Sequence, residues 1–303
     1  MLRQATNKVF IEGILSEIDL KNSSYKKNDV QVDCVTGVIK IQVEQKINDK
    51  NVTLEIPVHM FANKFKNNGD PNPAYDSIQR VMNDYVSIAA AGNKDEANIV
   101  RITSGQIQMN EYHNAAGQLI SFPRISTSFI TNNVKREEFE PRATFETEFV
   151  IASKTQEVDS EGVETGRLHL KGVLPQYGGR VDVVDFFTSN ENVANAIDSY
   201  WSEGDTVSAH GKLNFSSKTE TIIDDSGFGE PIKKVKTVNV SELLINGGIP
   251  TPMEGEFAYD TNEIQSALAE RKARLEARKE KDMAKVASRQ APAQSSAGFD
   301  LGF

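Results

Sequence analysis

One order of strands and helices occurs twice in this chain of 303 residues, and it constrains the fold more than any other feature. Gly105 opens a strand-like run, and Gly211 opens a similar run about one small domain later. Each run follows an amphipathic helical stretch, enters a polar hairpin and returns as a second strand, at residues 125–130 and 240–245. Two copies of a small β-rich unit favour paired binding surfaces over a single catalytic cleft.

Alternation of apolar and polar residues predicts three strands ahead of each helical stretch. In the first copy, residues 21–24 are interpreted as the first turn, and Gly37 as a bulge or sharp coil in a curved sheet. Tyr75 to Tyr85 then show the spacing of one helix face. The second copy repeats this sequence of elements, so each copy is predicted to be β-β-β-α-β-β.

Five strands with a helix between the third and the fourth is the order of the oligonucleotide-binding (OB) barrel. The sequence therefore predicts a mainly β protein with two tandem five-stranded OB barrels, followed by a C-terminal helix and a disordered tail. The expected limits are a first barrel at 1–135, an acidic linker at 136–144, a second barrel at 145–250, a linker and charged helix at 251–287, and a tail with an aromatic tip at 288–303.

Composition narrows the function classes. A single cysteine, Cys34, excludes an intramolecular disulfide, and no run of about 18 apolar residues predicts a membrane span. The N-terminus lacks the apolar run of a secretory signal, so we expect a cytoplasmic protein, in the host cytoplasm if a phage encodes it. A formal net charge of -9 argues against nucleic acid only if the charges are evenly spread, whereas base collects near the first strands and the C-terminal helix.

Aromatic and basic residues occur together in corresponding segments of both copies. Rings stack on unpaired bases at about 1–3 kcal/mol each, and Lys or Arg follow the phosphates. For Phe61 and Phe215, packing in the core is the alternative to stacking on a base. The candidate residues of the first copy are Tyr25, Lys26, Lys27, Lys40, Phe61, Lys64, Phe65, Lys66, Tyr112, Phe122 and Arg124. Those of the second copy are Lys171, Tyr177, Arg180, Phe187, Lys212, Phe215, Lys218, Lys234 and Lys236.

With its strand order, paired glycine-led strands and aromatic-ended tail, the chain resembles single-stranded DNA-binding proteins of the bacteriophage type over roughly residues 8–250. The resemblance implies sequence-tolerant binding of single-stranded DNA in replication, recombination or repair. It also implies that the C-terminal tip docks replication or recombination proteins, although only one of its residues is acidic. The tip residues concerned are Phe299, Asp300, Leu301 and Phe303.

The sequence is also compatible with other functions. Residues 261–287 predict a charged helix that either packs on the body or pairs with another chain, so a homo-oligomer is one alternative. An OB-fold protein-interaction or structural module is the main rival function, and a nuclease or strand-annealing factor is the second. The four histidines are scattered, no Cys/His spacing suits zinc, and no P-loop occurs, so we expect no enzyme, cofactor or metal.

Overall fold

The computed structural model of the protein describes residues 2–159, 161–224 and 232–290, with the side chains of 217–239 and 286–290 outside that description. Two groups of predicted contacts therefore cannot be compared with described side chains. They are the hairpin lysines Lys218, Lys234 and Lys236, and the tip residues Phe299, Asp300, Leu301 and Phe303.

The first half of the chain contains five strands and two helices. In chain order they are β1 (Asn7–Lys27), β2 (Val30–Ile47), β3 (Lys50–Asn63), α1 (Pro73–Asp84), α2 (Ile88–Ala91), β4 (Ile99–His113) and β5 (Leu119–Ser126). β1 pairs with β2, β2 with β3, β5 with β4, and β4 returns to β1, all antiparallel. β3 meets β5 in parallel at Val58 and His59, which closes the pairing into a ring.

The second half repeats this arrangement and adds a long helix. Its elements are β6 (Arg142–Val158), β7 (Glu164–Pro175), β8 (Val181–Thr188), α3 (Glu191–Tyr200), β9 (Thr206–Asp224), β10 (Ile232–Gly248) and α4 (Thr261–Gln290). β6 to β10 pair in the same cyclic order, with β8 and β10 meeting in parallel at two residue pairs. Both halves thus have the predicted element order, with the short α2 added in the first.

The two halves form one ten-stranded sheet, because β1 also pairs with β6 from Asn7 to Glu12. The Glu12 carboxylate is 1% exposed at this seam and accepts hydrogen bonds from Arg101 Nε at 2.8 Å and the Glu140 amide at 2.9 Å. Burial alone would raise the pKa of Glu12, but these hydrogen bonds and the nearby arginines outweigh it and lower the pKa. Through the Glu140 amide, this buried carboxylate links the first half to the start of the second.

Strand alternation decides which side chains enter the core. On β3, Ile56, Val58 and Met60 are buried while His59 and Phe61 point to the other face. Helix α1 begins at Pro73, is capped by the preceding asparagine, and buries Ile78 and Val81 against the strands. In the second half the core is aromatic, with Phe149 stacked on Phe186 at 4.5 Å between ring centroids.

The predicted first turn at 21–24 is wrong, because β1 runs on past it. The turn is Asn28-Asp29, whose φ angles of 50° and 61° lie in the left-handed region. A type I′ hairpin turn needs this region at both central positions, and Asn and Asp tolerate it best among non-glycine residues. Asn48-Asp49 joins β2 to β3 in the same way, with φ of 47° and 62°. Residues 25–27 therefore end a long two-stranded arm instead of lying in a loop.

Gly37 is a site of close approach and not a bulge. Its φ is +153°, and an added Cβ would lie 2.0 Å from the carbonyl oxygen of Asp19, so no other residue fits there. The register shift of this hairpin falls instead in β1, between Leu15 and Glu17.

The predicted linker 136–144 contains the start of β6, whose first residues pair with β1. The domain limits remain a prediction. No helix within the described residues is both long enough and apolar enough to cross a bilayer.

Candidate nucleic-acid interface

An open groove of about 740 Å³ crosses β2, β3, β4 and β5 in the first half, and we name it the first groove. Among the described residues that line it, Arg124 and His59 are the titratable groups and no carboxylate is present. The lining residues are Thr36, Gly37, His59, Met60, Phe61, Ser104, Gln106, Gln108, Arg124, Ser126, Thr127, Ser128 and Phe129.

Two phenyl rings flank the first groove, and each is 51% exposed. Phe61 projects outward from β3, which rules out a core role for it, and Tyr25 on the β1–β2 arm lies beside it at 6.4 Å between ring centroids. Phe129 lies beyond the end of β5, where its backbone amide donates a hydrogen bond to Thr127 Oγ1 at 3.2 Å. The sequence analysis missed Phe129 because it treated residues 125–130 as one strand.

Arg124 lies at the edge of the first groove without a carboxylate partner among the described residues. It donates from Nη2 to Gln108 Oε1 at 3.1 Å, while its buried Nε has no hydrogen-bond partner in that part of the chain. Burial, and then the charge of Arg124, lower the pKa of His59. His59 is therefore neutral at pH 7, and Arg124 is the cation available to an anionic ligand.

A pair of rings stands on the β4–β5 hairpin beside the first groove. Tyr112 and Phe122 are 36% and 39% exposed and meet edge to face at 6.4 Å. In the register of this hairpin, Gln108 is opposite Arg124 and Asn110 is opposite Phe122. Because side chains alternate between faces with a period of two, these residues share the groove side of the hairpin.

The other candidates of the first half are exposed but lie apart from this groove or are already paired. Lys40 forms ion pairs with Glu17 at 2.6 Å and Glu55 at 3.9 Å, so little of its charge is available to a ligand. The remaining candidates, at the arm tip and after β3, are exposed but do not line the groove. They are Lys26, Lys27, Lys64, Phe65 and Lys66.

The register of the strands shows which residues of the second half correspond to this groove. Gly105 pairs with β1 and Gly211 pairs with β6, so the two glycines are equivalent. Followed along the paired strands, Arg124 corresponds to Glu242 and His59 corresponds to Phe187. We name the corresponding surface, made by Glu157, Arg167, His169, Phe187 and Glu242, the second face.

The second face is filled by its own side chains. His169 stacks on Phe187 at 4.8 Å and 11° between ring planes, and the Arg167 guanidinium lies 5.4 Å from the ring centroid. Arg167 also pairs with Glu157 and, at 3.3 Å, with Glu242. The hydrogen bond from Arg167 is the main reason that the pKa of Glu157 is lowered. The prediction that Phe187 offers a free ring is therefore not supported by its surroundings.

Three further candidates of the second half are buried, hydrogen-bonded or placed opposite an acid. Phe215 is 4% exposed, so it packs in the core and has no free ring face. Lys212 donates from Nζ to the backbone carbonyl of Lys46 at 2.8 Å. Lys171 is exposed, but it lies opposite Asp185 in the β7–β8 register.

A second groove, of about 520 Å³, adjoins the first and shares Gln106, Gln108 and Arg124 with it. Tyr177 and Arg180 reach it from the β7–β8 connection, so both lie beside the first half's groove instead of on the second face. Helix α4 contributes arginines that the sequence analysis did not identify, because nothing in a charged helix shows which face it turns to the body. These are Arg274 and Arg278.

Fold and site together define a mainly β protein with ring-paired strands and an open cleft lined by aromatic and basic side chains. The YorF family matches residues 5–281, and the chain belongs to that family. A comparison with curated proteins finds no match. Among solved structures, a deletion mutant of the single-stranded DNA binding protein from Thermus aquaticus is similar at 11% identity and a TM-score of 0.48, over 83% of this chain and 97% of that chain. A likeness at this level carries no functional argument.

Metal chemistry has no visible centre within the described residues, which contain no group of three or more His, Cys, Asp or Glu side chains placed to hold an ion. The free thiol of Cys34 is buried, and burial is the main cause that raises its pKa. It is therefore a core residue and not an activated nucleophile.

Proposed function

We propose that the protein binds single-stranded DNA in the first groove without sequence preference. The observation that supports this most is the combination in one open groove of two half-exposed phenyl rings with a cation that has no carboxylate partner among the described residues. The groove is open to solvent and does not enclose a small-molecule cavity, so a polymer can enter it from the side.

Each part of the groove matches one part of an unpaired strand. Phe61 and Phe129 offer faces on which bases stack, and stacking tolerates any sequence because every base has a π face. Arg124 offers charge to a phosphate, and its unpartnered Nε gains a hydrogen bond on binding. Lining amides and hydroxyls both donate and accept, so they favour no single base.

The net charge of -9 is compatible with this proposal, because none of the described carboxylates lines the first groove. It also favours the rival function, in which the barrels bind protein. Salt dependence separates the two, since a protein that tracks phosphates weakens linearly in log–log form, with a slope of about −0.7 per phosphate for single strands.

The wider setting belongs to the same proposal. Each ring of five strands is proposed to be an OB barrel, which would make the chain a tandem-barrel protein. Its binding of single strands would serve phage DNA replication, recombination or repair in the host cytoplasm. Partner proteins would dock on the C-terminal tip formed by residues 299–303.

The test is a fluorescence-anisotropy titration of the whole chain with labelled oligo-dT, repeated at several salt concentrations and with a duplex control. Binding of the single strand that weakens as salt rises supports the proposal. No binding at low salt would favour the interaction module. Incubation of the labelled strand with magnesium or manganese tests the nuclease rival, for which we expect an uncut strand.

A further inference from the structure

The first and second grooves form one continuous surface. Gln106, Gln108 and Arg124 line both, so a strand that passes Arg124 in the first groove is already at the edge of the second. The far side of the second groove is built by different elements, the β7–β8 connection and α4. A polymer that occupies the first groove therefore meets the second half of the chain and its C-terminal helix.

Cations exceed available carboxylates along the second groove. Four arginines line it against two acids, and both acids are occupied. Glu111 pairs with Arg271, which does not line the groove. Asp182 accepts hydrogen bonds from Gln176 at 3.0 Å and from the Met109 amide at 3.3 Å, and burial raises its pKa. The lining arginines are Arg124, Arg180, Arg274 and Arg278.

Aromatic surface continues along the same route. Tyr177 is 84% exposed at the start of a short turn after β7, which is more exposure than any other large apolar or aromatic side chain among the described residues. A tyrosine this exposed gains little from the fold, whereas it offers both faces to a base.

Helix α4 holds its arginines at fixed positions on the body. Leu275 is 6% exposed in the contact, and Arg271 pairs with Glu111. Asp282 accepts a hydrogen bond from the His113 backbone amide at 3.3 Å. Burial alone would raise the pKa of Asp282, but this hydrogen bond and the charge of Arg278 outweigh it and lower the pKa. Arg274 has no ion-pair partner among the described side chains, so its charge is available to a ligand.

We infer that α4 is part of the DNA interface: a single strand leaves the first groove at Arg124 and continues along the second, contacting Tyr177, Arg180 and Arg274. The inference rests on the proposed function and deepens it. It replaces one binding site on each barrel by a single asymmetric path, in which the second half supplies a rim and not a second copy of the site.

The test compares oligo-dT of about 6 and about 24 nucleotides, chosen because one barrel covers about 4–16 nucleotides. Arg274→Glu is expected to weaken binding of the longer strand roughly tenfold at low salt and to reduce its salt slope by about 0.7. Binding of the shorter strand, held by Phe61 and Phe129, is expected to change less than about twofold. Lys272→Glu is the matched control, because Lys272 lies about 200° around the helix axis from Arg274 and does not line the second groove.

The outcomes separate the two proposals. Equal losses at both lengths, or no loss at either, would overturn the role of α4 while oligonucleotide binding by the parent chain still supports the proposed function. A parent chain that binds neither length at low salt removes the proposed function and this inference together. Arg274→Ala repeats the comparison without introducing a negative charge, with a smaller loss expected on the longer strand alone.

Discussion

The two halves of this protein have the same strand order, yet their equivalent surfaces differ in the property that matters for binding. Where the first half has Arg124, which has no acidic partner within the described part of the chain, the second half has Glu242 at the same register position. Phe61 of the first half is 51% exposed, whereas on the second face His169 stacks on Phe187 and the Arg167 guanidinium lies 5.4 Å from its ring centroid. The two halves therefore share a fold without sharing a binding site. The outward side chains of each strand pair are independent of the core that defines the fold.

The charged groups of the second face pair with one another. Arg167 lies between Glu157 and Glu242, so its charge is neutralised and a phosphate would have to displace a carboxylate. The second half contributes to the proposed path in another way, by placing Tyr177, Arg180 and α4 along the second groove.

The strongest way to break this comparison is to remove the open rings of one half and the enclosed ring of the other. Phe61→Ala with Phe129→Ala is expected to weaken oligo-dT binding by at least about thirtyfold, since each stacked ring contributes about 1–3 kcal/mol. Phe187→Ala, which removes the covered ring of the second face, is expected to change affinity less than about twofold. Anisotropy titrations measure both, with circular dichroism as the check on folding. Equal losses in the two halves would mean that both surfaces bind.

The next comparison removes one cation from each half. Arg124→Gln is expected to lower affinity roughly tenfold and to reduce the salt slope by about 0.7, because one phosphate contact is lost. Lys171→Gln is the control, since Lys171 is exposed but lies across from Asp185. A slope that Arg124→Gln leaves unchanged would show that Arg124 does not meet a phosphate.

Much of the fold was predictable because period-two alternation and helical spacing report burial directly. The long arm was not predicted, although a signal was present: Asn-Asp at 28–29 and again at 48–49 suits the left-handed angles of tight hairpin turns. The Asn-Asp signal was overlooked because the polar run at 21–24 resembled a turn, whereas in the arm those residues belong to an exposed strand.

The site was less predictable than the fold. Which ring is free depends on residues far apart in sequence: Glu242 pairs with Arg167, and the Arg167 guanidinium lies against Phe187. No local pattern reports such a contact, so Phe187 and Phe215 were included among the candidates while Phe129 and Arg274 were missed. Phe61 illustrates the same limit, since a phenylalanine on an amphipathic strand packs inward or outward according to a single step of register.

A smaller effect is expected from opening the second face. Glu157→Gln with Glu242→Gln removes both carboxylates that neutralise Arg167 and leaves hydrogen-bonding groups of similar size. The freed guanidinium is expected to raise affinity for a long oligo-dT about threefold and to steepen its salt slope, with short-strand binding unchanged. Graded-length titrations measure this gain. Its absence would show that the second face lies off the path of the strand even when its charge is released.

The smallest expected effect concerns pH and again contrasts the two halves. Burial and Arg124 lower the pKa of His59, so His59 is neutral in the free protein at pH 8 and at pH 7, and affinity should change less than about twofold between them. A bound phosphate beside the ring favours the imidazolium, so protonation is linked to binding and affinity should rise at pH values low enough to protonate His59. His59→Gln should remove this rise, because glutamine keeps a polar side chain that does not titrate.

His169→Gln is the control for this pH experiment, since His169 forms a hydrogen bond with Asp185 at 2.8 Å and belongs to the second face. A rise that survives His59→Gln and disappears in His169→Gln would place the strand on the second face and reverse the assignment of the two halves.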